Sequence, residues 1–172
     1  AGARRAVVVG AGYIGLEVAE GLLARGLDVT VVERLDAPMA AVLDADMAGG
    51  VADAMRAAGI NLRLGTAVTG FTTAAGRVTA VETAAGSLAA DLVVIGLGVR
   101  PNSELAKAAD IGVGKSGGII VDDRLHTGTP HVWAAGDCVE SRHRITGWPV
   151  VIALGTHANK QGRIVGTNIA GG

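Results

Sequence analysis

Gly10, Gly12 and Gly15 stand in the run "VVVGAGYIGLEVAEGLLARG" (Val7 to Gly26) as G-x-G-x-x-G. Such spacing suits a cradle for a dinucleotide. The first glycine permits a tight turn, and the second lets the backbone approach a pyrophosphate. The third lets the following helix pack close to the preceding strand. The free N–H groups and dipole of the helix N-terminus face the phosphates. Glu33 closes the next apolar run, "DVTVVE". A carboxylate there accepts hydrogen bonds from adenosine ribose hydroxyls. It also repels a 2′-phosphate, since two unit charges at about 4 Å interact by roughly 4 kcal/mol at an effective dielectric of 20. NAD is therefore favoured over NADP, with Arg34 softening the repulsion.

Two further glycine sites stand apart from this turn. "IGLGVRPN" (Ile95 to Asn102) places Gly96, Leu97 and Gly98 at the end of a buried apolar run, where open α/β sheets bind ligands. The same glycines equally suit a plain turn leaving a sheet. "VWAAGDCVE" carries Gly136 and Asp137. An aspartate behind a glycine after a buried strand is placed to bond a sugar-like polyol, or simply to cap the next turn. The helix that follows, starting at Thr156 or Asn159 and running to Ile169, offers its first N–H groups to an electron-rich ligand edge.

The elements that position these residues are legible in the pattern. Ala6–Val9 is a strand buried on both faces. A helix runs from Tyr13 to Arg25 and stops at Gly26. The second strand is 28–33, a second helix spans 43–58, and "INLRLG" is the third strand. The period then changes to alternation, with turns at Ala75-Gly76 and Ala85-Gly86. That predicts an antiparallel meander (67–73, 77–84, 87–90) and a buried strand, Leu92–Ile95. "SELAKAA" is a short helix, "GGIIVDDRL" a strand, and His131–Ala135 a further short strand.

The 172 residues suffice for a sizeable core, and 49% apolar with 18% charged residues is a globular balance. The net charge of −1 and only 2% aromatic residues argue against a nucleic-acid partner. No apolar run reaches the roughly 18 residues of a membrane span. One cysteine, Cys138, excludes an internal disulfide. With no signal-peptide pattern, the expected setting is cytoplasmic. Cys138 reads as a small apolar residue near a turn. The histidines show no metal spacing, and Trp133 is expected in the core.

"GAGYIGLE", "VTVVE", "VVIGLGVRPN" and "VWAAGD" occur in the order and spacing of a known family. The chain resembles the pyridine nucleotide–disulfide oxidoreductases over nearly its whole length. "IALGTHANKQGRI" is most similar to the branch with NADH oxidase, NADH peroxidase and coenzyme A–disulfide reductase. The resemblance implies an α/β fold: a Rossmann-like NAD-binding domain, 1–121, then a C-terminal piece of an FAD domain, 122–172. The first would have a parallel sheet with helices on both faces and a meander crossover. The resemblance assigns Gly10 to Glu33 and Gly96 to Gly98 to NAD, with Tyr13 and Ile14 near the nicotinamide and Glu17 where nicotinamide meets flavin. It assigns Asp137, behind Gly136, to the FAD ribityl chain, and Leu154, Gly155 and Thr156 to the pyrimidine end of the flavin.

The family also has a second G-x-G-x-x-G and a redox cysteine upstream, and a dimerisation domain downstream. The chain therefore reads as part of a homodimeric flavoenzyme, binding NADH without turnover by itself. The rivals are a ferredoxin reductase of an oxygenase system and an NAD-sensing regulatory module.

Overall fold

A computed structural model describes residues 2–171. The chain forms two compact units, Ala1–Gly98 and Val99–Gly172. Residues 99–121, which the sequence reading joined to the first unit, cluster with the second. The cause is strand pairing: Ile119 and Ile120 lie parallel to Val139 and Glu140.

The first unit is built on β1 (Arg5–Val9), α1 (Tyr13–Leu23), β2 (Asp28–Val32), α2 (Ala45–Ala57) and β3 (Asn61–Arg63). A meander follows, β4 (Val68–Ala74), β5 (Arg77–Thr83) and β6 (Gly86–Ala89), and then β7 (Leu92–Ile95). The parallel sheet has the order β3-β2-β1-β7, with the two earliest strands at its centre. Alternation along β1 sorts its valines between two cores. Val8 packs with Val31, Ala19 of α1 and Met55 of α2. Val7 and Val9 pack with Val32 and with Val81 of β5. The meander thus covers one face, while α1 and α2 share the other. The expectation of helices on both faces is corrected in that detail. The meander's apolar positions seal the second face, so no helix is needed there.

The meander turns on Ala75 and Gly76, both at positive φ (50° and 73°), the geometry of a two-residue hairpin matched to strand twist. At the amino end of β1, Asp91 clamps the sheet. Its carboxylate accepts from the backbone N–H groups of Arg4 and Arg5 at 3.0 and 2.9 Å and pairs with the Arg5 guanidinium at 2.6 Å. The Arg5 guanidinium and these N–H groups hold the Asp91 carboxyl well below the usual carboxylate range, and the Arg5 guanidinium is raised in turn.

The second unit contains α3 (Glu104–Ala108), β8 (Ile119–Ile120), β9 (Val139–Arg142), β10 (Pro149–Val150) and α4 (Gly155–Ile169). Its sheet has the order β10-β9-β8. Two expected strands change here. The strand through "GGIIVDDRL" shrinks to two residues, because the Asp122 carboxylate accepts the N–H groups of Arg124 and His126 and turns the chain. His131–Ala135 is not a strand. His131 sits at φ 63°, and only an isolated bridge between His126 and Trp133 remains. The regular strand, β9, begins after the Gly136-Asp137 turn instead. Trp133 is half-buried, edge-on to His126 with ring centroids 5.3 Å apart.

Glu140 is 9% exposed and holds Ser116 through both its N–H and its hydroxyl. α4 starts at Gly155, on the residue before Thr156, and buries no side chain completely. Among the described residues no helix is long and apolar enough to cross a membrane.

Candidate functional site

The site in the first unit is built where β1 and β7 end side by side. Gly10 leaves β1 at φ 104°. A side chain there would place its Cβ 2.5 Å from the Gly96 carbonyl oxygen. Gly15, two residues into α1, would drive a Cβ into the Gly10 carbonyl and to within 3.5 Å of a Val8 methyl. A Cβ on Gly96 would meet the Gly15 nitrogen at 3.3 Å. The three glycines therefore touch backbone to backbone, and each is small for a steric reason. Gly12 differs: a Cβ there meets nothing within 4 Å. The space before Gly12 is open, as a bulky anion needs.

Gly12 is the N-cap of α1, and no side chain caps it. The first intrahelical bond to it comes from Leu16 N–H at 3.0 Å. The N–H groups of Tyr13, Ile14 and Gly15 thus have no partner within the helix. A cleft of about 510 Å³ opens here, lined by Gly10, Gly12, Glu33, Arg34, Leu97 and Gly98 among others. Glu33 is half-buried at its wall, while Arg34 is exposed.

Tyr13 and Ile14 are half-exposed, at 50% and 45%, on the first turn of α1. Glu17 is exposed one turn on and shares Tyr13's side of the helix. Tyr13 lines a smaller neighbouring hollow with Met39 and Val42. A larger hollow of about 690 Å³ lies around Arg4, Arg5 and Asp91 at the amino end of β1. It has no glycine turn, and Arg5 and Asp91 there already satisfy one another, so the cleft at Gly12 is the better candidate.

In the second unit, Gly136 takes φ 86° and presents Asp137 exposed. The turn is tied to α4: Gly136 N–H donates to the Gln161 side-chain carbonyl at 2.7 Å, and the space at its Cα faces Ala158 at 3.7 Å. Leu154 caps α4 with extended backbone (φ −130°, ψ 133°), and Gly155 and Thr156 form its exposed first turn. Cys138 sits in the turn itself, its Sγ 3.4 Å from the Ala135 carbonyl.

Reading the sequence missed Gln161, whose glutamine gives no signal outside this packing. It also missed Ala11, a nominal x in the glycine motif. Ala11 is 1% exposed, and both its backbone groups are engaged by chain beyond β2.

A parallel sheet with a glycine turn from its first strand into a helix, and an acid after its second strand, defines a Rossmann-like α/β unit. The chain belongs to the pyridine nucleotide-disulphide oxidoreductase family, whose model matches residues 1–162. It is 38% identical over 165 residues to a CoA-dependent NAD(P)H sulfur oxidoreductase of Pyrococcus furiosus, covering 96% of this chain and 37% of that protein. It is 41% identical over 170 residues to an NADH oxidase of Methanocaldococcus jannaschii, covering 99% of this chain and 38% of that one. A solved NAD-dependent persulfide reductase from A. fulgidus superposes with a TM-score of 0.94 at 41% identity, over 99% of this chain and 32% of its own. The chain thus spans about a third of the length of these relatives, from 32% to 38%.

Proposed function

We propose that the cleft at Gly12 binds NAD(H), in a protein whose whole activity is FAD-dependent NAD(P)H oxidation. The observation that carries this is the convergence of Gly10, Gly15 and Gly96 behind an open Gly12, with Glu33 on the cleft wall. In this reading the unpartnered N–H groups at the start of α1 hold the pyrophosphate. Glu33 accepts from the adenosine ribose hydroxyls and sets the preference for NAD over NADP. Gly96, Leu97 and Gly98 form the opposite wall. Tyr13, Ile14 and Glu17 stand at the nicotinamide end, with Tyr13 screening the ring from water.

The second unit supplies part of a flavin site. Asp137, presented by the Gly136 turn, would bond the ribityl hydroxyls, and the start of α4 (the cap Leu154, then Gly155 and Thr156) would meet the pyrimidine edge. When bound, the nicotinamide supplies a hydride, and FAD relays the electron pair toward a disulfide, a peroxide or oxygen. These residues contribute positioning and fixed dipoles rather than chemistry of their own. Neither Cys138 nor any other residue of this chain is assigned the redox step.

The reading is tested by calorimetric titration of this chain with NADH and with NADPH. Tighter binding of NADH is expected. Binding of neither would overturn the assignment of the cleft, and tighter binding of NADPH would overturn the role of Glu33 in cofactor choice.

A further inference from the structure

Glu33 has a second set of partners besides the cleft. One carboxylate oxygen accepts the N–H of Ala11, inside the glycine turn, at 2.8 Å. The other accepts the N–H of Leu35 at 2.8 Å. The backbone of Glu33 is tied as well, its N–H to the Arg63 carbonyl and its carbonyl to the Thr66 N–H, each at 2.8 Å. Ala11 is held on its other side too, because its carbonyl accepts the Met39 N–H at 2.9 Å. Gly10, next to it, donates its N–H to the Val32 carbonyl at 2.8 Å. The middle of the turn is thus tied to the end of β2 and the chain that follows it.

We propose that Glu33 is a positioning residue: its carboxylate latches the Gly10–Gly12 turn in its open, phosphate-ready shape before any nucleotide arrives. Each oxygen takes one backbone N–H and keeps another acceptor site for the cleft. Because both oxygens are anchored, the negative charge cannot swing aside to admit a 2′-phosphate. Rejection of that phosphate is therefore built into the same bonds that shape the turn. This rests on the reading of the cleft as a nucleotide site, but the latch itself is made only of the chain's own groups.

A residue that only met the ribose would leave the empty turn unchanged when removed, and its loss would shift preference toward NADPH. The latch predicts otherwise. Glu33→Ala removes the repulsion and the shape together, so NADH affinity falls without a matching gain for NADPH. Glu33→Gln retains one acceptor oxygen, keeps one of the two bonds and rescues part of the loss.

The experiment is residue-resolved amide exchange on the full, ligand-free chain, as wild type, Glu33→Gln and Glu33→Ala, followed by titration of each with NADH and NADPH. In Glu33→Ala, exchange at Ala11 and Leu35 should quicken by about tenfold or more, while Val7 and Val8 in β1 stay protected. Glu33→Gln should lose protection at only one of the two amides. Unchanged exchange at Ala11 in Glu33→Ala overturns the latch. Should that variant not fold, full protection at both amides in Glu33→Gln overturns it. Quickened exchange, with wild-type chain that binds neither NADH nor NADPH, upholds the latch and rejects the nucleotide reading instead.

Discussion

Gly10 and Gly96 lie against one another so closely that a methyl group on the first would sit 2.5 Å from the carbonyl oxygen of the second. One closes the first strand of the sheet and the other the last. Their contact brings two distant stretches of sequence into a single cleft wall. Gly10→Ala meets both that oxygen and a φ of 104°. It is expected to destabilise the unit by about 3–4 kcal/mol, read as a lowered midpoint in urea. A loss under about 1 kcal/mol would mean that β1 and β7 do not end in contact.

Gly12→Ala should behave in the opposite way. Nothing lies within 4 Å of the added carbon, and φ is −85°. Stability should move by no more than about 1 kcal/mol, while NADH affinity drops about tenfold or more as the methyl enters the open space proposed for the pyrophosphate. Urea melts and calorimetry on the same sample separate the two effects. Undiminished NADH binding would remove Gly12 from the proposed site.

Gln161→Ala should loosen the turn that presents Asp137. The substitution leaves the Gly136 N–H without its 2.7 Å partner. The expected cost is about 1–2 kcal/mol, with faster exchange of the Gly136 amide. If that amide exchanges as before, the turn is held by its own backbone and not by α4.

The Arg5–Asp91 clamp predicts an acid-sensitive contribution to stability. The Asp91 carboxyl is held below its ordinary value of 3.8, so the folded chain binds its proton less readily than the unfolded chain. The contribution is therefore complete above the ordinary value and fades as pH falls below it. Thermal melts of wild type and Asp91→Asn should differ at neutral pH and converge in acid. Salt should narrow the gap, because the pair is exposed. A difference that persists undiminished into strong acid would show that Asp91 acts by shape and not by charge.

Much of the first unit was legible because its signals are local. The G-x-G-x-x-G spacing, the valine runs and the Ala75-Gly76 turn each act within a few residues, and each formed the element expected of it. Periodicity was weaker where side chains competed with the backbone. In "GGIIVDDRL" the Asp122 carboxylate takes two backbone N–H groups and ends the strand early. At His131 a positive φ broke a run whose composition favoured extension.

What the sequence determined alone was the set of conformations the glycines permit and the acid that follows the second strand. Those follow from the absence of a Cβ and from the chemistry of a carboxylate. Only the tertiary structure decided that Gly10, Gly15 and Gly96 meet, that both helices share one face, and that Gln161 braces the Gly136 turn. It alone showed the carboxylate of Glu33 gripping Ala11. These depend on which backbone groups remain unpaired after the strands have docked, a quantity that exists only once distant segments have been brought together.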